Sequence, residues 1–346
     1  MIKANYKKYI LNFKNPSGTS RGVLETKETW FILLEKNGKK GIGETGLFRG
    51  LSIDDETDYE EKLIWACNNI NLGLEFLLNE FCKFPSIQFG LEQAFLSLES
   101  VDKFELFPSQ FTKGNETIAI NGLIWMGEKQ FMKDQIKEKL KTGFSCIKMK
   151  IGAIDFDAEI ALLKSIRKEF SSKEIELRVD ANGAFNPKYA LEKLERLSAL
   201  EIHSIEQPIK QGQVQEMAAL CAKTPLPIAL DEELIGIFKL EEKQELLKTI
   251  KPQFIILKPS LIGGFAGSKE WINLAKEFTC DWWITSALES NIGLNAIAQF
   301  TYTLNSNLPQ GLGTGGLFIN NFESPLQVKN GTLTYNPELN WNFNLK

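Results

Sequence analysis

Six apolar runs of strand length, spaced one strand–helix unit apart, each end in a charged or hydroxyl side chain. The ends are Lys148/Lys150, Asp180, Glu206, Asp231, Lys258 and Ser286. Parallel strands need a crossover of a dozen or more residues between them, usually a helix, so the rhythm predicts consecutive βα units. In a closed sheet the strand ends converge on one mouth. The expectation is therefore a site built from three acids, three lysines and a serine.

The first hundred or so residues follow another pattern. Trp30-Phe31-Ile32-Leu33-Leu34-Glu35 reads as a strand, Asn37-Gly38 is a hairpin signal, and Asp55 to Phe84 has helical spacing of its apolar residues. Strands followed by helices predict a small α+β domain over 1–115. The βα rhythm begins at Ile118–Ile124, with a helix over Lys129–Lys141. It continues through Phe144–Ile151, a helix over Asp157–Phe170, then Ile175–Asp180, Ile202–Glu206, Ile228–Asp231, Phe254–Lys258, Trp282–Ser286 and Leu308–Gly313. Eight such strands predict an α/β fold of the TIM type, a (β/α) barrel over 116–317 with catalytic groups at the C-terminal strand ends. Residues 318–346 contain one further strand, Thr332-Leu333-Thr334-Tyr335, and are expected to return to and complete the N-terminal capping domain.

Composition narrows the classes of partner. With 40 basic and 44 acidic residues the formal net charge is −4, and no basic stripe with interleaved aromatics predicts nucleic-acid binding. No apolar stretch has the length of a membrane span or a signal-peptide core. The five cysteines are scattered without a CxxC pair, which suits reduced thiols and a cytoplasmic location. A small-molecule substrate is the expected partner. Self-association into a homo-oligomer is compatible with the sequence but is not read from it.

Asp180, Glu206 and Asp231 each end a β-branched or leucine-rich run. Any one of them alone could cap the following helix. Three carboxylates gathered at one barrel mouth repel unless a cation lies among them. An all-oxygen donor set favours Mg²⁺, with Mn²⁺ as an alternative. Lys148 and Lys150 are two residues apart and share one side of their strand, while Ile147 and Met149 suit the helix-facing side. Burying two ammonium groups requires nearby anions, which the three acids supply. A lysine beside a divalent cation and a second lysine is expected to have its pKa pushed down, into the range of a general base. Lys258 is expected across the mouth from Lys150. A carbon acid next to a carboxylate needs this arrangement: a metal ion stabilises the enediolate and an amine takes the proton. The combination of lysine base and Mg²⁺ is the pattern of enolase-superfamily sites.

The remaining motifs concern the substrate. Gly311-Leu312-Gly313-Thr314-Gly315-Gly316 follows the eighth strand and reads either as a backbone cradle for an anion or as a tight turn. Arg21, on the Gly-flanked stretch Pro16 to Gly22, is either a closing carboxylate ligand or a solvated side chain. Ser286 is placed to donate a hydrogen bond inside the mouth. His203, the single histidine, stands three residues before Glu206 on the opposite side of its strand and reads as structural. With no second histidine, Ser–His triads and His–Asp dyads are excluded.

On Lys148-x-Lys150, Asp180-Ala181-Asn182, Glu206-Gln207-Pro208, Asp231-Glu232 and Lys258-Pro259 the chain resembles the enolase superfamily, specifically its muconate-lactonizing-like subgroup. Within it, Phe89-Gly90-Leu91-Glu92, Ile120 to Trp125, Ser286 to Gly293 and Gly311 to Thr314 are similar to the o-succinylbenzoate synthase family of menaquinone biosynthesis. The resemblance implies Mg²⁺ on Asp180, Glu206 and Asp231. It implies Lys150 as base and then acid, Lys258 as a stabilising ammonium, and Lys148 as a tuning group that contacts the carboxylate. Asn182, Ser286, Gly313, Thr314 and Arg21 would meet a dicarboxylate substrate. A dipeptide epimerase or N-succinylamino acid racemase on the same scaffold is the nearest rival. Gly311-Leu312-Gly313 speaks against the epimerase, whose family places an Asp-x-Asp pair there for the substrate ammonium. A non-catalytic metal- or dicarboxylate-binding barrel is the rival of another class.

Overall fold

The structure, a computed structural model, describes residues 1–19, 22–125, 128–152 and 154–345. The chain opens with an antiparallel meander of β1 (Lys3–Thr19), β2 (Gly22–Lys36) and β3 (Lys39–Glu44), paired in that order. Asn37 and Gly38 both have positive φ, 52° and 80°, as a two-residue turn matched to strand twist requires. Three helices follow: α1 (Tyr59–Asn68), α2 (Leu74–Glu80) and α3 (Pro85–Glu99). Helix α3 lies against β3 at close range. A Cβ on Gly43 would stand 1.9 Å from the carbonyl oxygen of Gly90, so only glycine allows the contact. Trp30, Ile32, Tyr59, Leu63, Leu77, Ile87 and Leu91 bury one another between this sheet and these helices.

The predicted first strand is two elements. β4 (Ile118–Ala119) pairs antiparallel with the C-terminal segment, and β5 (Gly122–Ile124) starts the barrel. The chain changes partner at Ile120, whose N–H donates to Gly331 O, while Asn121 N–H donates to Gln310 O. Then α4 (Lys129–Lys141), β6 (Cys146–Lys150), α5 (Phe156–Glu169), β7 (Glu176–Asp180), α6 (Pro187–Ser198) and β8 (Ser204–Glu206) alternate. They are followed by α7 (Val214–Lys223), β9 (Ile228–Leu230), α8 (Leu240–Ile250), β10 (Phe254–Leu257), the short α9 (Pro259–Ile262), α10 (Gly264–Glu277), β11 (Asp281–Ile284) and α11 (Asn291–Thr303). β5 to β11 form one parallel sheet in sequence order.

The predicted eighth strand, Leu308–Gly313, is instead two bridging residues. Gln310 pairs with Ile120 and Gly311 with Thr285. Pro309 has no N–H to extend a ladder. The pair still closes the barrel: Gln310 N–H donates to Ala119 O, Gly311 N–H to Ile284 O, and Ser286 N–H to Gly311 O. A Cβ on Gly311 would lie 2.4 Å from Thr285 Oγ1, so the close approach depends on glycine.

Strand alternation sorts the side chains. Ile147, Met149, Leu177, Val179, Ile205, Ile228, Leu230, Ile255 and Leu257 are buried in the main core. Ala229, Ile256 and Trp283 form a separate cluster, over which Arg178 stacks at 4.2 Å from the Trp283 ring. The C-terminal segment contains a hairpin, β12 (Leu326–Lys329) and β13 (Thr332–Tyr335), where the sequence predicted a single strand. Trp341, Phe343 and Leu345 then pack with Phe31, Ile42 and Phe104 of the N-terminal part, and Trp341 stacks on Phe104 at 4.5 Å.

Candidate active site

Register sets the first row of the mouth. Lys150 on β6 pairs with Asp180 on β7, and Asp180 with Glu206 on β8. Lys150 Nζ donates to Asp180 Oδ2 at 2.9 Å and to Asn182 Oδ1 at 2.6 Å. Lys148, one inward position earlier, lies 2.6 Å from Glu206 Oε2 and 3.4 Å from Asp180 Oδ2. Lys258 pairs closely with Asp231 across the next strands, and Glu206 and Asp231 are near enough for each to act on the other's charge. The three acids and three lysines thus form one continuous network, buried at the acids and Lys148 and half-buried at Lys150 and Lys258.

Its charges are interdependent. Burial opposes ionisation of Asp180, but Lys150 and Lys148 outweigh it and hold the carboxyl well below the usual carboxylate range. Burial likewise opposes charge on Asp231, and Lys258 more than compensates, lowering its pKa. Glu206 goes the other way: burial, and then the adjacent Asp180 charge, push it well above the ordinary glutamate value. The pKa values of the Lys148 and Lys258 ammonium groups are raised. Burial works against Lys148 and is overcome by Glu206 and Asp180; burial works against Lys258 and is overcome by Asp231 and Glu206.

A cleft of about 990 Å³, counted out to its open mouth, is lined by Lys148, Lys150, Asp180, Asn182, Lys258, Ser286, Gly313 and Thr314, with Phe48 and Leu51 from the N-terminal part. Glu206 and Asp231 do not line it; each is held by a lysine that does. Arg21 lies outside the described residues. His203 packs on Phe254 at 5.0 Å and hydrogen-bonds Ser204 Oγ at 2.9 Å, away from the acids, and its pKa is lowered by burial.

The donor set can be weighed for a metal ion. Three carboxylates supply hard oxygen ligands, and among the described residues Glu206 Oε1 is buried without a hydrogen-bond partner, as an oxygen left for a cation would be. As the side chains stand, no three His, Cys, Asp or Glu among the described residues close around a common metal position. The Lys148 and Lys258 ammonium groups occupy the places of positive charge, and ligation requires them to yield oxygens to the ion. The chemistry of the donors fits a divalent cation.

Several supporting contacts of the site were not foreseen from the sequence. Asn182, expected at the substrate, holds Lys150; its own Nδ2 donates to Glu232 Oε1 at 3.0 Å. Gln207, with φ 39°, accepts at Oε1 from Asp231 N at 3.1 Å and donates to Glu233 Oε2 at 3.0 Å, fixing the backbone of the Asp231 turn. Ser286, expected to donate towards substrate, donates to Glu289 Oε2 at 2.5 Å and accepts from Thr314 Oγ1 at 2.9 Å. The signal for these partners was adjacency: Gln207 follows Glu206, and Glu232 and Glu233 follow Asp231.

A barrel whose strand ends gather acids and lysines beneath an α+β cap is built for chemistry on a carboxylate-bearing carbon acid. A family model described as Enolase C-terminal domain-like matches residues 131–338, and the chain belongs to that family, within the enolase superfamily. Enzymes of this superfamily use a divalent metal ion. The chain is 47% identical to the o-succinylbenzoate synthase of Desulfotalea psychrophila over 96% of its own length and 98% of the relative's. The crystal structure of MenC from Desulfotalea psychrophila LSv54 superposes with a TM-score of 0.86 at 44% identity, covering 96% of this chain and 99% of that one. The substrate-liganded L-Ala-D/L-Glu epimerase of Bacillus subtilis shares the fold, with a TM-score of 0.81 at 20% identity over 96% of this chain and 95% of that one. Among the described residues no helix is long and apolar enough to cross a membrane.

Proposed function

We propose that this chain is a hydro-lyase of menaquinone biosynthesis, acting in the cytoplasm. Its reaction is the Mg²⁺-dependent syn dehydration of 2-succinyl-6-hydroxy-2,4-cyclohexadiene-1-carboxylate to 2-succinylbenzoate. The observation that carries this reading is the near-full-length identity to the Desulfotalea psychrophila synthase. The glycines at 311 and 313, where a dipeptide's ammonium would need carboxylates, favour it over epimerisation.

In this reading Asp180, Glu206 and Asp231 would hold Mg²⁺, or Mn²⁺, and the ion would supply positive charge at the substrate carboxylate. Lys150, oriented by Asn182, takes the proton from the ring carbon bearing the carboxylate. The resulting ammonium returns that proton, on the same face, to the departing hydroxyl. One C–H and one C–O bond break, water leaves and the ring becomes aromatic, so no further reactant is needed. Lys258 remains an ammonium, in keeping with the direction of its pKa shift, and lies against the ring as a cation–π partner. Lys148 tunes Lys150 and contacts the carboxylate. Ser286, Gly313, Thr314 and Arg21 receive the succinyl arm. The Ser286 hydroxyl donates to Glu289 and the Thr314 hydroxyl to Ser286, so backbone N–H groups of the glycine loop are the donors to that arm.

The test is deuterium exchange into a ring-saturated analogue that has the same carboxylate, followed by mass spectrometry in D₂O. Wild type should incorporate deuterium only with Mg²⁺ present, and Lys150→Ala should incorporate none. Exchange that survives in Lys150→Ala contradicts the assigned base.

A further inference from the structure

The capping sheet sends one cation into its junction with the barrel mouth. Lys27, on β2, is 6% exposed, and among the described residues its Nζ has no hydrogen-bond partner. Burial pushes its pKa down, and the carboxylates of Glu44 and Glu289 oppose that. Both are fully buried, but they are not equally provided for. Glu44 accepts from Thr29 Oγ1 at 2.8 Å, Ser290 N at 2.9 Å, Ser290 Oγ at 2.5 Å and Gly293 N at 2.8 Å. The first turn of α11 therefore stabilises its charge. Glu289 is held by two hydroxyls, Ser260 Oγ on one oxygen and Ser286 Oγ on the other, both at 2.5 Å. Burial raises the Glu289 pKa, and among its neighbours Lys27 opposes that rise most, so Glu289 is the acid that leans on Lys27 to remain charged.

Both hydroxyls are tied to the mouth. Ser260 follows Lys258 by two residues. Ser286 Oγ accepts from Thr314 Oγ1 at 2.9 Å and from Leu288 N at 3.1 Å, and Ser286, Leu288 and Thr314 line the cleft. Leu288 has a φ of 65°, a backbone region that a branched side chain adopts only when its surroundings enforce it. Gly46 brings the cap this close, because a Cβ there would lie 2.9 Å from Ser260 Cβ and 3.1 Å from Glu289 Cγ.

We propose that Lys27 is a positioning residue: its buried charge, supplied from the capping sheet, keeps Glu289 an acceptor that clasps Ser260 and Ser286 and so fixes the Ser286–Thr314 subsite for an anionic substrate arm. The inference rests on the assignment of that subsite to the succinyl arm. Without Lys27, Glu289 takes up a proton and becomes a donor to one of the two hydroxyls. One of the hydrogen bonds must then reverse, and Ser286 loses its set orientation.

The test is a double-variant cycle of Lys27→Met and Glu289→Gln, read by thermal unfolding and by steady-state kinetics with the cyclohexadiene acid. Each single variant should lower Tm, and the neutral double variant should lose less than the sum of the two. In each single variant KM should rise about tenfold while kcat stays within about threefold, and the double variant should be no worse than the worse single one. Additive Tm losses, or a KM for Lys27→Met within about twofold of wild type, would overturn the proposal. If Lys27→Met does not fold, recovery of folding in the double variant supports the pairing and its failure there refutes it. A wild-type protein that leaves the cyclohexadiene acid unchanged defeats the functional reading instead, and the unfolding cycle then decides the Lys27–Glu289 coupling by itself.

Discussion

Replacing Asp231 by Asn tests the acids as a cation site. The substitution keeps the side-chain shape and removes one of three negative charges. It also leaves the Lys258 ammonium, now paired with Asp231, without its nearest anion and close to where a cation must sit. Two unit charges 4 Å apart interact by about 4 kcal/mol at the effective dielectric typical of proteins. A fraction of that, about 2.7 kcal/mol, weakens binding about a hundredfold. The consequence can be read without turnover. At a Mg²⁺ concentration of about 100 times Kd, binding stabilises the wild type by about 2.7 kcal/mol. A chain of 346 residues has an unfolding entropy of about 0.7 kcal/mol per kelvin, so Mg²⁺ should raise Tm by about 4 °C. In Asp231→Asn at the same concentration the gain falls to about 0.4 kcal/mol, a shift below about 1 °C. Differential scanning calorimetry with Mg²⁺ and with EDTA measures both. A full Mg²⁺ shift in Asp231→Asn, or none in the wild type, refutes the reasoning.

Lys150→Ala should lower kcat by at least about 10²-fold with Tm within a few degrees of wild type, since Lys150 packs at the mouth rather than in the core; near-normal kcat would reject its role. Gly43→Ala should destabilise the protein by about 1–3 kcal/mol, because its Cβ would meet the Gly90 carbonyl at 1.9 Å; unchanged denaturant unfolding would contradict the α3–β3 contact. Glu92 is buried and accepts from the α10 backbone at Phe265 and Ala266, and burial pushes its pKa up to about 7 from 4.5. A raised acid favours the folded state below its unfolded pKa and loses that contribution as pH rises through the folded one. Wild type should therefore lose about 3 kcal/mol relative to Glu92→Gln between about pH 4.5 and 7. A stability difference that does not change with pH would contradict it.

Strand ends were legible because alternation forces them: a run such as Leu177-Arg178-Val179-Asp180 buries Leu177 and Val179 on one side and turns Asp180 inward. Register then places Lys150, Asp180 and Glu206 side by side without further information. What the sequence hid depends on partners far away in the chain. Ile118–Ile124 reads as one apolar run, yet the β13 hairpin captures its first half and the barrel its second. Leu308–Gly313 reads as a strand, but Pro309 and the close Gly311–Thr285 approach reduce it to two bridging residues. Lys27 and Glu44 look like ordinary surface charges on amphipathic strands. Glu44 is buried where the cap docks onto the first turn of α11 and Lys27 is buried as well, and no local pattern announces that.

The most direct measurement is turnover by the purified protein, with Mg²⁺, of two substrates in parallel: 2-succinyl-6-hydroxy-2,4-cyclohexadiene-1-carboxylate and an Ala–Glu dipeptide. Formation of 2-succinylbenzoate, lost on removing the metal and far faster than any epimerisation of the dipeptide, is the predicted result. Equal or faster epimerisation of the dipeptide, or no aromatic product, would contradict it.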